Sequence, residues 1–335
     1  MRLLVTGAAG FIGANFVRYW VNEHPEDAVV AYDALTYAGN RPNLAPVEDR
    51  IRFVQGDIGD PVTVERTLGE GEIDTIVNFA AESHNSLAVK DPGRFFVTNV
   101  IGTQNLLEAA RHHGVRRFHH ISTCEVYGDL ALDSDERFTE ESPYRPRTPY
   151  NASKAGADHA VRAYGETFGL PVTITNCCNN YGPLQFPEKV IPLFTTRALD
   201  DKALPLYSST QNRREWLHVE DHCRAVDAVL QRGQPGETYL VGGGVEASIE
   251  ELADIILGVL GKPASLKEIV PDRPGHDRRY LLDSTKIERQ LGWRAEIPFT
   301  EGLTETVRWY ADNRPWWEPL RDRAPLDETG WDAPR

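Results

Sequence analysis

Through the first half of the chain, short and mostly apolar runs alternate with segments of helical period, and no other feature narrows the choice of fold so far. Leu3-Leu4-Val5, Val29-Val30-Ala31, Arg52-Phe53-Val54, Thr75-Ile76-Val77, Phe118 to Ile121 and Val172-Thr173-Ile174 read as buried strands. Phe11 to Asn22, Pro61 to Leu68, Asn99 to His113 and Tyr150 to Phe168 read as the helices between them. Strands followed by helices at this pitch predict βαβ units, hence an α/β fold with a Rossmann-type, doubly wound parallel sheet covered on both faces. From about Pro183 the rhythm breaks into proline-rich loops and short elements such as Ser248 to Leu260 and Ser284 to Leu291. That part reads as a smaller α+β portion laid over the sheet, with the chain crossing back between the two.

Composition excludes several classes of function. With 36 Lys+Arg against 50 Asp+Glu, the formal charge is −14, which argues against nucleic acid as the main partner because phosphate backbones need a basic face. No apolar stretch reaches the roughly 18 residues of a membrane span, and the MRLLVTGAAG start lacks a signal-peptide core. The cysteines Cys124, Cys177, Cys178 and Cys223 show neither a CxxC pair nor disulfide-like spacing, so reduced thiols in a cytoplasmic protein are expected. The doublets His112-His113 and His119-His120 lack partners at ligand spacing, and no metal site is expected.

The first strand runs into Gly7-Ala8-Ala9-Gly10-Phe11-Ile12-Gly13 and then a helix. Glycines at such a turn let backbone N–H groups at a helix N-terminus approach a pyrophosphate. Asp33 closes the second strand 33 − 13 = 20 residues after the last glycine. A carboxylate at that spacing binds ribose hydroxyls and repels a 2′-phosphate, which favours NAD over NADP. Asp57 and Ile58 after the third strand would flank the adenine, and Ala80 and Ala81 after the fourth would pass the pyrophosphate. Residues 1–182 are thus expected to form the NAD-binding domain, and 183–335 mainly a domain for the second ligand.

Tyr150 and Lys154 stand four apart, on one helix face. A tyrosine near a cationic lysine has its phenolate stabilised and can take a hydroxyl proton. Ser122 and Thr123 close the strand Phe118 to Ile121 and are expected to bond the same hydroxyl.

With these residues in place the chain resembles the extended short-chain dehydrogenase/reductases, and within them the dTDP-glucose 4,6-dehydratases. The resemblance rests on GAAGFIG (7–13), YDALTYAGN (32–40), AAESH (80–84), TNVIGTQNLLEAAR (98–111), STCEVYGDL (122–130), NCCNNYGPLQFPEKVIPL (176–193), REWLHVEDH (214–222), GETYLVGG (236–243) and RPGHDRRY (273–280). It implies a lyase of deoxysugar biosynthesis: oxidation of a nucleotide-hexose at C4 with NAD, loss of water across C5 and C6, and hydride return to C6, giving a 4-keto-6-deoxy sugar. By motif, Tyr150 is the C4 base, Lys154 its tuner, Thr123 a hydroxyl partner and Glu125 the C5 base, while Cys124 occupies the place of the family's acidic aspartate. Cys177 falls near the nicotinamide. His84, Asn179, Lys189, Leu206, Tyr207, Arg214, Arg273 and His276 are implied to hold the nucleotide diphosphate and sugar. A homodimer is implied, built from the helices Asn99 to His113 and Tyr150 to Phe168.

Three departures bear on the chemistry. Cys124 is a weaker acid and poorer donor than a carboxyl group, which leaves Glu125 to shuttle the proton alone or the thiol to donate. Asn85-Ser86-Leu87-Ala88 stands where the family has Val-Asp-Arg-Ser, and Ser208-Ser209-Thr210 where it usually has Gly-Asp-Gly. The hexose and the base therefore stay open, as do a 5,6-dehydratase giving a 5,6-ene, a 4-epimerase, and a non-catalytic NAD-binding regulator.

Overall fold

The computed structural model describes residues 1–272 and 275–323. The chain begins β1 (Arg2–Thr6), α1 (Phe11–Glu23), β2 (Ala28–Asp33), β3 (Arg52–Gln55), α2 (Pro61–Gly71) and β4 (Thr75–Asn78), with a 3₁₀ stretch, Arg41–Arg50, before β3. Short helices α3 (Asn85–Lys90) and α4 (Pro92–Phe96) lead through a π-helical turn, Val97–Gly102, into α5 (Thr103–His112). Then come β5 (Arg117–Thr123), a 3₁₀ turn at Cys124–Tyr127, α6 (Pro149–Phe168) and β6 (Val172–Cys177). The remainder is β7 (Asn179–Tyr181), α7 (Val190–Leu199), β8 (Leu204–Tyr207), β9 (Arg213–His218), α8 (Val219–Arg232), β10 (Thr238–Val241), β11 (Glu246–Ser248), α9 (Ile249–Leu260), β12 (Lys267–Val270), α10 (Thr285–Leu291), α11 (Phe299–Asp312) and α12 (Arg314–Arg321).

Seven strands form one parallel sheet in the order β10-β6-β5-β4-β1-β2-β3. Strand alternation splits its residues between two cores. Leu3 and Val5 pack with Phe16 and Trp20 of α1 and Val226 and Leu230 of α8. Leu4, Val30 and Ile76 face Val64 and Leu68 of α2, Leu106 and Leu107 of α5 and Val161 of α6. The strand order reverses between β1 and β4, which opens a crevice at the carboxyl ends of the strands.

Two small sheets, β11-β9-β7 and β12-β8, sit over that crevice around a core of Ile191, Phe194, Leu204, Leu206, Trp216, Leu252 and Leu303. The chain beyond residue 183 also returns to the large sheet: β10 pairs with β6, and α8 packs beside α1. The helix expected from Asn99 to His113 is instead a continuous run from Pro92 to His112 interrupted by the π turn. Such turns insert a residue into a helix and re-aim the side chains before it. Helix ends follow local chemistry: Thr148 caps α6 by accepting from Asn151 N–H, with Pro149 next and Gly169 left-handed beyond its end, while Ser248 and Glu251 form a capping box on α9.

Candidate active site

A crevice of about 760 Å³ runs from the β1–β2 strand ends to the small sheets, and its lining joins residues as distant in sequence as Gly7 and Tyr280. At one end lies the glycine turn. Gly7 has φ +64°, and a Cβ on it would lie 2.7 Å from the Ala80 backbone nitrogen. A Cβ on Gly13 would lie 2.2 Å from the Gly7 carbonyl oxygen, so this glycine is required for α1 to start against the turn. No side chain caps α1 at Gly10, which leaves its first N–H groups open to the crevice. Asp33, 7% exposed, accepts from Ala9 N–H at 2.9 Å and Leu35 N–H at 2.7 Å. Burial pushes its carboxyl up, and those N–H groups oppose the shift. Asp57, Ile58, Ala80 and Ala81 line the same end, with Phe11 and Ile12. This cradle fits a dinucleotide: backbone donors for a pyrophosphate at one point, a carboxylate for ribose hydroxyls at another.

At the other end, β5 and α6 bring the proposed proton-transfer groups together. Thr123, Glu125, Tyr150 and Lys154 share the crevice wall. Thr123 ends β5, accepts from Glu125 N–H at 3.2 Å and bonds the Tyr150 phenol. Burial, then the charge of Glu125, pushes that phenol well above its ordinary range, and the Thr123 bond opposes them. Lys154 does not bond Tyr150. Its ammonium donates to the Ile121 carbonyl at 2.7 Å and lies 3.3 Å from His120 Nε2. The tuning of Tyr150 expected from the four-residue spacing is therefore not made by contact. Burial lowers Lys154 to about 8, with Asp158 opposing it.

Two candidate residues face away from the crevice. Cys124 is fully buried in an apolar cluster with Val126, Cys177, Cys178 and Leu217, outside the crevice lining. Burial, then Glu125, pushes its thiol well above the ordinary range. Its place as the first residue of the 3₁₀ turn sends its side chain into the core while Glu125, one residue on, faces the ligand space. Leu206 likewise belongs to the core of the small sheets, because alternation on β8 turns Pro205 and Tyr207 to the crevice and Leu206 away. Arg273 lies outside the described residues.

The other candidates line the crevice. His84 sits 3.9 Å from Glu188, and Asn179 accepts from the Tyr280 hydroxyl at 2.8 Å. Lys189 donates to Ser83 O at 2.9 Å. Arg214 is buried, donates to the Arg278 carbonyl at 3.1 Å and lies 4.8 Å over the Tyr280 ring. His276 lies against Ser209, at 3.2 Å, and the Tyr207 ring. Cys177 also lines the wall, its thiol pushed up to about 12 by burial.

Asn85, which the sequence singles out as a departure, lines the crevice; sequence reading assigned no role to Glu82 with its partner Arg94, to Tyr280, or to Glu188 with Tyr37 donating to it at 2.9 Å. Glu82 and Glu188 each keep a buried oxygen that accepts no hydrogen bond from a described residue, and nothing in their local spacing marks them.

Comparison with known proteins agrees over nearly the whole chain. A family model described as GDP-mannose 4,6 dehydratase matches residues 4–306. The dTDP-glucose 4,6-dehydratase of Mycobacterium tuberculosis (strain ATCC 25618 / H37Rv) is 50% identical over 323 residues, covering 96% of this chain and 97% of that protein. The dTDP-glucose 4,6-dehydratase of Streptomyces niveus is 49% identical over 336 residues, covering 98% of each. Among solved structures, the dTDP-glucose 4,6-dehydratase of Streptomyces venezuelae with NAD bound overlays with a TM-score of 0.92 at 53% identity, covering 96% of this chain and 100% of that one.

Proposed function

The chain belongs to the GDP-mannose 4,6-dehydratase family, and on that premise we propose that it is an NAD-dependent dTDP-glucose 4,6-dehydratase of deoxysugar biosynthesis. The observation that carries this reading is the shared wall: Glu125 faces the same space as Tyr150, within one crevice that ends in the glycine cradle and Asp33. An epimerase needs the tyrosine but has no use for a second base there, and a binding module needs neither.

The roles follow from position. Tyr150 takes the proton of the C4 hydroxyl, with Thr123 as its hydrogen-bond partner. Bound in the cradle, NAD would supply the acceptor for hydride from C4 and, once reduced, its donor to C6, while C5 takes a proton from solvent and Tyr150 gives up to solvent the one it took from the C4 hydroxyl. Glu125 carries both proton transfers of the elimination. Its carboxylate removes the C5 proton, the C6–O bond breaks as the C5–C6 double bond forms, and Glu125 passes its proton to the departing hydroxyl, which leaves as water. The burial of Cys124 supports this single-carboxylate route, since a thiol off the crevice wall has no path to the leaving group. Arg214, Lys189, His276 and Asn179 are assigned the diphosphate and sugar, where cationic and amide donors meet phosphate oxygens.

A homodimer is supported by exposed apolar side chains beside the expected helices: Phe96, Val97, Ile101 and Phe168. Light scattering of the purified chain reads its mass directly. No helix among the described residues is long and apolar enough to cross a membrane, and four unpaired thiols fit a cytoplasmic setting.

The reading is tested by mass spectrometry after incubation with dTDP-glucose and, separately, UDP-glucose, followed by borodeuteride. Loss of one water and uptake of deuterium, with dTDP-glucose preferred, is the expected result. Water loss without deuterium uptake means the 5,6-ene. No mass change with either donor overturns the dehydratase reading for these substrates.

A further inference from the structure

Asn85 bridges the two halves of the reaction centre. Its amide nitrogen donates to Glu125 Oε2 at 3.1 Å, and its amide oxygen accepts from the Thr148 hydroxyl at 3.0 Å. Thr148 is the cap of α6 and accepts the Asn151 N–H at 3.2 Å, one residue beyond Tyr150. The backbone N–H at one end of this chain and the carboxylate at the other set its direction. A backbone N–H only donates, so it leaves the Thr148 hydroxyl hydrogen free to point at Asn85 Oδ1. With that oxygen occupied, Asn85 turns its N–H toward Glu125, and a carboxylate can only accept. The result is a donor held against one oxygen of Glu125, which fixes the direction of its carboxyl, while Oε1 receives no hydrogen bond from any described residue.

We propose that Asn85 is a positioning residue for the elimination: through the Thr148 relay it locks the Glu125 carboxylate as a proton acceptor in register with Tyr150. The inference rests on the reading of Glu125 as the C5 base. It also gives a physical use to a residue that departs from the family's pattern at this position. Where the neighbouring Cys124 offers the crevice no polar group, the amide of Asn85 supplies the fixed donor beside Glu125. Asn85 itself moves no proton.

The test compares wild-type enzyme with Asn85→Leu, Thr148→Val, their double variant and Thr148→Ser, on substrate with hydrogen or deuterium at C5. Asn85→Leu is expected to lower kcat by about 10–100-fold with KM moving less than about threefold, since misplacing a catalytic group by an ångström costs on this scale. The C5 isotope effect on kcat should rise as proton removal becomes limiting. Thr148→Ser, which keeps the hydroxyl, should restore wild-type values, and the double variant should fall little below the worse single one. A wild-type kcat and isotope effect in Asn85→Leu overturns the proposal, as does a loss carried by KM with the isotope effect unchanged. Glu125→Gln run alongside separates the two levels: if it still releases water, the base assignment itself fails, whatever Asn85 does.

Discussion

The two ends of the crevice are built by opposite means. At the cofactor end, backbone does the work. Gly7 and Gly13 are fixed by contacts of 2.7 and 2.2 Å that a Cβ would make, and the ligand space follows from one contiguous turn and one carboxylate. At the sugar end, side chains from α3, β5, α6, β7, β8 and β9 converge, Asn85 held by its hydrogen bond to Glu125 and Asn179 by that from Tyr280. The first kind of site tolerates almost no substitution. The second can be edited residue by residue.

The hardest blow to that contrast is Gly13→Ala. Its added methyl would meet the Gly7 carbonyl, so α1 must shift and bound NAD should fall to a few per cent or less of wild type, read as nucleotide released on denaturation, by about the loss expected when a fingerprint glycine is filled. Retention of NAD would show that the cofactor end is as adaptable as the sugar end.

Lys154 sits at the seam between the ends, and pH should move stability and activity in opposite directions there. Its folded-state pKa, about 8, is below its ordinary 10.5 because burial penalises the ammonium. Between these values the unfolded chain binds the extra proton, so this group makes stability rise with pH from about 8 to 10.5, while the charge beside the centre disappears. We expect kcat to drop on an alkaline limb near pH 8 while the Lys154 contribution to Tm grows. A profile flat to pH 10 would remove the ammonium from the chemistry.

The smallest effect on turnover is expected at Cys124. Cys124→Ala should change kcat less than about threefold while costing about 1 kcal/mol of stability through a small core cavity. A thousandfold loss of kcat in a variant that still melts normally would reinstate the thiol as the proton donor.

Much of this was legible before folding. The large sheet and its helices follow from periodicity, and the cofactor cradle from a strand, three glycines and an aspartate at fixed spacing. The small sheets were not legible, because β9 pairs with β7 and β11 and β8 with β12, partners 31 to 63 residues apart for which short strands carry no local signal. Motif position named Leu206 and Tyr207 together, although adjacent residues on a strand must point to opposite sides. It named Cys124 with Glu125 in the same way, and the 3₁₀ turn separates them.

By itself, then, the amino-acid sequence determined the fold class and the dinucleotide end and named the candidate proton-transfer residues, since these depend on local conformation and on spacing along the chain. Only the tertiary structure decided that Lys154 serves the β5 backbone and that Cys124 leaves the crevice. It alone joined Asn85 to Glu125 across 125 − 85 = 40 residues through the cap of a third element. Hydrogen-bond direction and side-chain facing are set by which partners packing brings within about 3 Å, and no spacing along the chain encodes that distance.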